Sequence, residues 1–392
     1  MEMDKLELEK GLSPRSKAFD SERPYDVVDN NDDDGDDDEP LRKGSKTKSA
    51  DKAYTLQKRT VKLAYGALAL YQSLMAFWAA IGSKSLQGEV GVPVSVFLFG
   101  RHCLAATALA MLSLWKHGAE SLIPRPEHRA RIFMAGVLAQ YASPMCYLFG
   151  LMFVPPTIAS IFDGPFIPLF VYVMAISVGA EVLPKLAKDR LGVAISLALA
   201  SGGAATLILV SGGEVEFDGV EPEPVTDAQV QGASANEGDD MFMIAIVSLA
   251  LEAAALGASI IMQKPVVTQY QLFPFACWVS ASGMLCCFFH LMFIGDGVFA
   301  SIVQLLEACK ASNAFFGALL YNALALTLIN TLCIAFANAS VPSSVVALAA
   351  CVQPGLTLML DVAVYDAPFS IWHLAALGMV AIGISMFNKH AA

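Results

Sequence analysis

Charge is scarce in this sequence. Asp, Glu, Lys and Arg make up 16% of 392 residues, against 56% hydrophobic, and the mean hydropathy is +0.56. Soluble domains of this size are more evenly mixed, so the composition predicts a chain that crosses a bilayer many times. Lys and Arg form no stripe with interleaved aromatics, which argues against a nucleic-acid surface. The eight cysteines show no C-x-x-C and no Cys/His ligand spacing, and most lie inside apolar runs. They read as small buried hydrophobes, so no metal, disulfide or other cofactor is expected. No Walker A loop is present, so nothing points to nucleotide hydrolysis. The first fifty residues lack an apolar h-region and are too acidic for a transit peptide, so the first span is expected to direct insertion.

What charge there is gathers in two places. Most of the formal net charge of −11 lies in "NDDDGDDDEP" (Asn31 to Pro40) and in Gly212 to Asp240. Neither stretch can bury enough apolar surface to fold alone. The expected organisation is a disordered tail, acidic then basic, over 1–59, and a first helical block over 60–211. An acidic linker over 212–240, a second block over 241–388 and a short end at 389–392 follow.

A bilayer core needs about 20 mostly apolar residues per helix. Ten stretches qualify: 60–81, 92–115, 131–153, 155–178, 190–211, 241–264, 273–295, 313–337, 340–363 and 368–388. Prolines punctuate the breaks, among them Pro93, Pro126, Pro155, Pro342 and Pro368. Basic residues crowd before span 1, between spans 2 and 3 (Lys116, Arg125, Arg129, Arg131) and between spans 4 and 5 (Lys185, Lys188, Arg190). The alternate loops hold little beyond Lys84 and Lys310. That bias predicts both termini in the cytoplasm and the acidic linker on the opposite side of a plasma membrane or endomembrane.

The two blocks echo one another. Val154-Pro155 corresponds to Val341-Pro342, Asp163-Gly164-Pro165 to Gln353-Pro354, and Glu181 to Asp366. Each block has five spans, an odd number, so the two sit in opposite orientations. The expected fold class is therefore an all-α polytopic membrane protein of ten transmembrane helices, arranged as two inverted five-helix repeats. That is an architecture of alternating-access carriers.

Three stretches carry a family resemblance: "FLFGRHCLAATALAML" in span 2, "SVPSSVVALAACVQPGLTLML" in span 9, and "GAEVLPKLAKDRLGVAISLALASGG" at the end of the first block. Over about residues 60 to 388 the chain resembles the drug/metabolite transporter superfamily, and most of all its EamA-type branch. It departs from the pattern at Asp366, where a glutamate is usual, and in span 7, which has no arginine. The resemblance implies that the first four helices of each half line a central cavity and the fifth packs outside them.

At about 1.5 Å of rise per residue, Arg101 and Asp163 both fall about 12–14 Å below one membrane surface. A carboxylate at that depth needs a partner, and Arg101 is the expected one for Asp163. Gly164 and Pro165 weaken the backbone ladder beside it, and Pro354 does the same next to Gln353. Glu252, Gln140, Tyr141, Tyr71, Gln72 and Asn322 also reach towards the middle and complete the candidate substrate and coupling set. Each has a plainer alternative as interhelical glue. Glu181 and Asp366, at span ends, read as caps or interface residues. The small residues of "SLALASGGAA" read as close packing within the chain, with a homodimer left open.

The expected function is a secondary transporter, not an enzyme, that moves a small neutral, zwitterionic or singly anionic metabolite. A gradient, such as one of protons, or an exchanged solute would drive it. A nucleotide-sugar or phosphate-ester antiporter would call for several deep basic residues, and only Arg101 is clearly deep. An intramembrane aspartyl enzyme needs two neighbouring carboxylates, yet Asp366 falls in a loop far above Asp163. A seven-span receptor leaves the repeat unexplained. The topology is directly testable. In sealed right-side-out vesicles, added protease should cut within 212–240 and spare an N-terminal tag; the reverse pattern would overturn the orientation.

Overall fold

The computed structural model describes residues 43–86, 92–151, 153, 162–214, 235–295, 297–365 and 369–390. By internal contacts the chain divides into Met1–Thr55 and Leu56–Ala392; the packing below is that of the second unit. Every element among the described residues is helical.

In chain order the helices are α1 (Lys43–Leu86), α2 (Val94–His117), α3 (Pro126–Val137), α4 (Ser143–Leu151), α5 (Ile167–Ser177), α6 (Ala187–Glu214) and α7 (Ala235–Val267). Then come α8 (Leu272–Phe293), α9 (Val298–Ala311), α10 (Asn313–Tyr321), α11 (Asn330–Ser340), α12 (Ser343–Leu348), α13 (Gln353–Tyr365) and α14 (Ile371–His390). Wider π turns occupy Leu138–Ala142, Phe162–Phe166 and Asn322–Ile329. A 3-10 turn, Ala349–Val352, joins α12 to α13.

Eight helical stretches are long and apolar enough to cross a membrane: Val94–His117, Pro126–Gly150, Ala187–Val210, Met241–Val267, Leu272–Phe293, Asn313–Ser340, Ser343–Val364 and Ile371–His390. The shorter apolar helix Gly164–Ser177 stands where the fourth span is expected. Prolines mark the starts as anticipated. Pro93 and Pro342 are the residues preceding α2 and α12, and Pro126 opens α3. A proline there gives up only an amide that would have had no helical partner.

Three boundaries differ from the sequence expectation, and one helix is additional. The first helix begins at Lys43, within the stretch assigned to the tail; after Gly44 that stretch is free of glycine and proline, which favours a helix. Both ends of the acidic linker, 212–214 and 235–240, also continue their neighbouring helices. Residues 1–42, 155–161 and 215–234, on which the remaining tail, linker and loop expectations fall, lie outside the described residues. Finally, α9 was not anticipated. At 14 residues it is too short to span.

The packing explains which sequence features are used where. Helix α2 lies along α8, α7 meets α3, α4 and α5, and α6 lies along α14. The α6–α14 contact is built from small residues. A Cβ on Gly203 would fall 2.8 Å from Ala376 O, and one on Gly383 would fall 2.5 Å from Ala200 N. The expected close packing of "SLALASGGAA" is thus made within the chain, where backbones can approach because side chains are absent. Around the bundle, residues such as Met111, Val173, Leu209, Leu251 and Phe293 are exposed. So much outward apolar surface is what a bilayer, and not water, covers.

Gly383→Leu should therefore force the α6 and α14 backbones apart and cost about 1–3 kcal/mol, read as a lower melting temperature in detergent. Gly378→Leu, where a Cβ meets nothing within 4 Å, should leave it unchanged. Equal melting of both variants would show that this contact does not hold the bundle.

Candidate polar site between the helices

Two groups of polar residues form in the interior. The first is built on two π turns, whose extra residue per turn redirects side chains and leaves the helix ladder uneven. Gln140 sits in Leu138–Ala142 and Asn322 opens Asn322–Ile329. Helix α8 comes very close at the first turn, where a Cβ on Gly283 would lie 2.5 Å from Gln140 Cβ. The second turn is braced locally: Thr327 Oγ1 donates to Asn322 O at 2.9 Å.

From these turns hydrogen bonds reach across the bundle. Arg101 Nη1 on α2 approaches Asn322 Oδ1 at 3.5 Å. Gln140 Nε2 donates to Thr331 Oγ1 on α11 at 3.1 Å. His102 Nε2 lies 2.8 Å from Gln140 O. A carbonyl can only accept, so that nitrogen carries a proton. Tyr141 OH bonds His290 Nδ1 on α8 at 2.9 Å, and Ser143 Oγ donates to Glu252 Oε1 on α7 at 3.1 Å. Five of the sequence candidates, Arg101, Gln140, Tyr141, Asn322 and Glu252, thereby make side-chain hydrogen bonds between helices.

The hydrogen-bonding capacity of this region is not exhausted. Arg101 Nε, His102 Nδ1 and both amide atoms of Asn330 are shielded from solvent without a hydrogen-bond partner, as are both amide atoms of Gln72 on α1. Each such group costs about 1–3 kcal/mol when shielded and unmatched. Buried polar atoms left unmatched are uncommon in folded proteins, which makes these residues the candidates to follow.

Tyr71, next to Gln72, is half-buried. Over the same end of α2, Phe97 lies one turn from Arg101 and meets Trp78 at 6.5 Å and Phe315 at 5.8 Å. Tyr321 stacks on Trp78 at 6.2 Å and donates its hydroxyl to Leu74 O at 2.8 Å. Beside it, Ser73, Phe77, Leu356 and Met359 help line an apolar groove of about 530 Å³.

The second group surrounds the helix breaks. Gly164 and Pro165 lie in the turn Phe162–Phe166, and Gln353 and Pro354 open α13. The two breaks face one another, since a Cβ on Gly164 would be 3.4 Å from Pro354 Cγ. Two carbonyls of this turn are met by neighbouring side chains: Ser201 Oγ donates to Pro165 O at 2.9 Å, and Cys351 Sγ at 3.8 Å to Gly164 O, whose α-helical donor is missing because residue 168 is proline. Gln353 is half-buried, and its carbonyl accepts from Thr357 Oγ1 at 3.1 Å.

The expected Asp163–Arg101 pair falls partly on a side chain, that of Asp163, outside the described residues. Among the described residues, Arg101's hydrogen bond is to neutral Asn322 and it makes no ion pair.

Glu181 caps a helix, as its place at a span end suggested: its Oε1 accepts from Ser344 N at the start of α12, at 2.9 Å. Lys264 serves the other side of the same turn, donating from Nζ to Asn338 O at 2.6 Å and to Val341 O. Asp366 lies outside the described residues.

Sequence reasoning missed His102, His290, Thr331 and Asn330. Histidine inside the apolar runs "FGRHCLA" and "CCFFHLMF" was the available signal.

No family model matches the sequence, and no curated protein matches it. Twenty-two chains of solved structures do match it. One, described only as the crystal structure of a protein, is 13% identical, with a TM-score of 0.59 over 86% of this chain and 99% of its own length. At that identity the likeness concerns the fold alone.

The Lys264 bonds are charge-assisted, each of a kind worth about 1.5–3 kcal/mol. Lys264→Met should lower the melting temperature of the purified protein by several degrees, while Lys185→Met, on an exposed loop residue, should not. Unchanged melting in Lys264→Met would remove the ammonium from the stabilising contacts of this turn.

Proposed function

We propose that the chain is a secondary transporter that carries a small organic metabolite by alternating access, between two inverted five-helix repeats of the EamA-like, drug/metabolite transporter type. The observation that carries this reading is the polar network of Arg101, Gln140, Asn322 and Thr331, set on paired helix irregularities. Irregular backbone within a membrane occurs where it is enclosed by protein or lines a cavity, and carriers bind at such places.

The packing supports the repeat. Numbering the spans as in the sequence, the second pairs with the seventh (α2 with α8), the fourth with the ninth (α5 with α12) and the fifth with the tenth (α6 with α14). Three of the five corresponding pairs thus meet one another, an arrangement compatible with a two-fold relation in the membrane plane. The irregularities match as well: π turns interrupt the third and eighth spans, and breaks interrupt the fourth and ninth.

In this reading the unmatched donors and acceptors around Arg101 and Asn330 hold the solute, and the aromatic cluster of Trp78, Phe97 and Tyr321 closes one approach. Asp163, beside the facing breaks, is the group proposed to couple protons to movement. Arg101 is the clearly deep cation, where a phosphate ester calls for several, and Lys264, in the last turn of α7, is engaged by backbone carbonyls. A neutral, zwitterionic or singly anionic solute fits that inventory better.

Uptake of a pooled metabolite panel into proteoliposomes under an imposed pH gradient tests this, with wild type, Asp163→Asn and Gln140→Leu. Wild type should accumulate a solute. Gln140→Leu should lower the rate at least tenfold, and Asp163→Asn should abolish the response to pH. Accumulation by all three alike would leave a carrier but detach it from this site. No accumulation by folded wild type would count against transport itself.

A further inference from the structure

Helix α9, Val298–Ala311, is a loose end in a bundle otherwise explained by spans. It is joined to α8 through Ile294–Gly297 and to α10 by Ser312 alone, and both neighbours belong to membrane-length helices. It therefore cannot leave the boundary between bilayer and water. The tight entry is set by Gly297, whose φ of 92° only glycine adopts without strain. The exit is set by Ser312, whose Oγ accepts from Phe315 N at 3.2 Å and so starts α10.

At 3.6 residues per turn, the side chains of α9 divide into three stripes about a third of a turn apart. Ser301 and Ala308 are buried and Leu305 is partly buried; this stripe faces protein. Leu305 is the anchor, since its Cδ2 fills the place where a Cβ on Gly100 would lie, at 2.6 Å. A second stripe is small or polar: Ala300, Gln304, Glu307 and Ala311. The third is bulky, apolar and uncovered: Phe299 is 81% exposed and Leu306 53%, with Ile302 and Val303 between them. It continues onto exposed apolar residues of the flanking spans, Phe293 and Ile294 before it and Phe316 and Leu320 after it.

We infer that α9 lies in the plane of the membrane at its end of the bundle, wedged in the corner between protein, lipid and water. Its partner is the bilayer itself: Phe299, Ile302, Val303 and Leu306 enter the acyl boundary, and Ala300 and Glu307 face water. A second copy of the chain is the competing occupant of this face. The continuity with the lipid-facing surface of α8 and α10 favours lipid, as does the amphipathic pattern. Because Leu305 is seated on Gly100, one residue before Arg101, the helix ties the bilayer surface to the part of α2 next to that arginine. The inference does not depend on transport.

Tryptophan scanning in proteoliposomes tests it, each signal being taken as the difference from wild type. Phe299→Trp and Leu306→Trp should be quenched by lipids brominated near the headgroup end of the acyl chain and shielded from aqueous iodide. Ala300→Trp and Glu307→Trp should show the opposite pattern. If Phe299→Trp does not fold, Val303→Trp reads the same stripe. Iodide quenching of the apolar stripe equal to that of the polar one, without bromolipid quenching, would overturn the assignment. So would protection of that stripe from both quenchers, which would indicate a covering protein surface.

Discussion

A chain inside a bilayer must satisfy its own backbone, because no water is there to do so. That requirement governs this structure more than any single side chain. Regular helices meet it without help, which is why every described element is helical. The departures are informative because each needs an outside partner. Pro165 O and Gly164 O find Ser201 and Cys351, and Asn338 O and Val341 O find Lys264. The π turn at Asn322 is closed by its own Thr327. In the turn Leu138–Ala142 the partner is an imidazole, with His102 Nε2 on Gln140 O.

The same constraint separates two kinds of polar residue. Those that serve the backbone, such as Ser201, Thr327, Glu181 and Lys264, are engaged. Those around Arg101, Gln140, Asn322 and Asn330 bond one another across helices and still keep unmatched atoms. A network that served stability alone would be expected to close completely, since a partly satisfied one is worse than apolar packing. The contrast within one chain makes this network the candidate for function, and the facing breaks at Gly164 and Pro354 a candidate for movement.

Much of this was legible in the sequence, for physical reasons. Runs of about 20 apolar residues and the prolines between them located the membrane-length helices to within a few residues. Scarcity picked out Arg101, Gln140, Asn322 and Glu252, because a polar side chain in an apolar run must be matched by something. The identity of the partner was not legible: Arg101 meets Asn322, more than two hundred residues away, and only packing reveals that. Nor was α9, whose apolar stripe reads as too short to span and too mixed to belong to a core. Of the π turns, Phe162–Phe166 was foreshadowed by Gly164 and Pro165, which it contains. The turns at Leu138–Ala142 and Asn322–Ile329 were not anticipated; the first packs closely against Gly283.

The turn between α11 and α12 is two residues long, Val341-Pro342, and it is held from both sides. An ammonium sits on the carbonyl end of one helix and a carboxylate on the amide end of the next, each matching the partial charge that a helix terminus presents. The joint is thereby fastened to two other parts of the bundle, α7 through Lys264 and the segment between α5 and α6 through Glu181. A change of angle between α11 and α12 has to break one of these contacts or carry α7 and that segment with it.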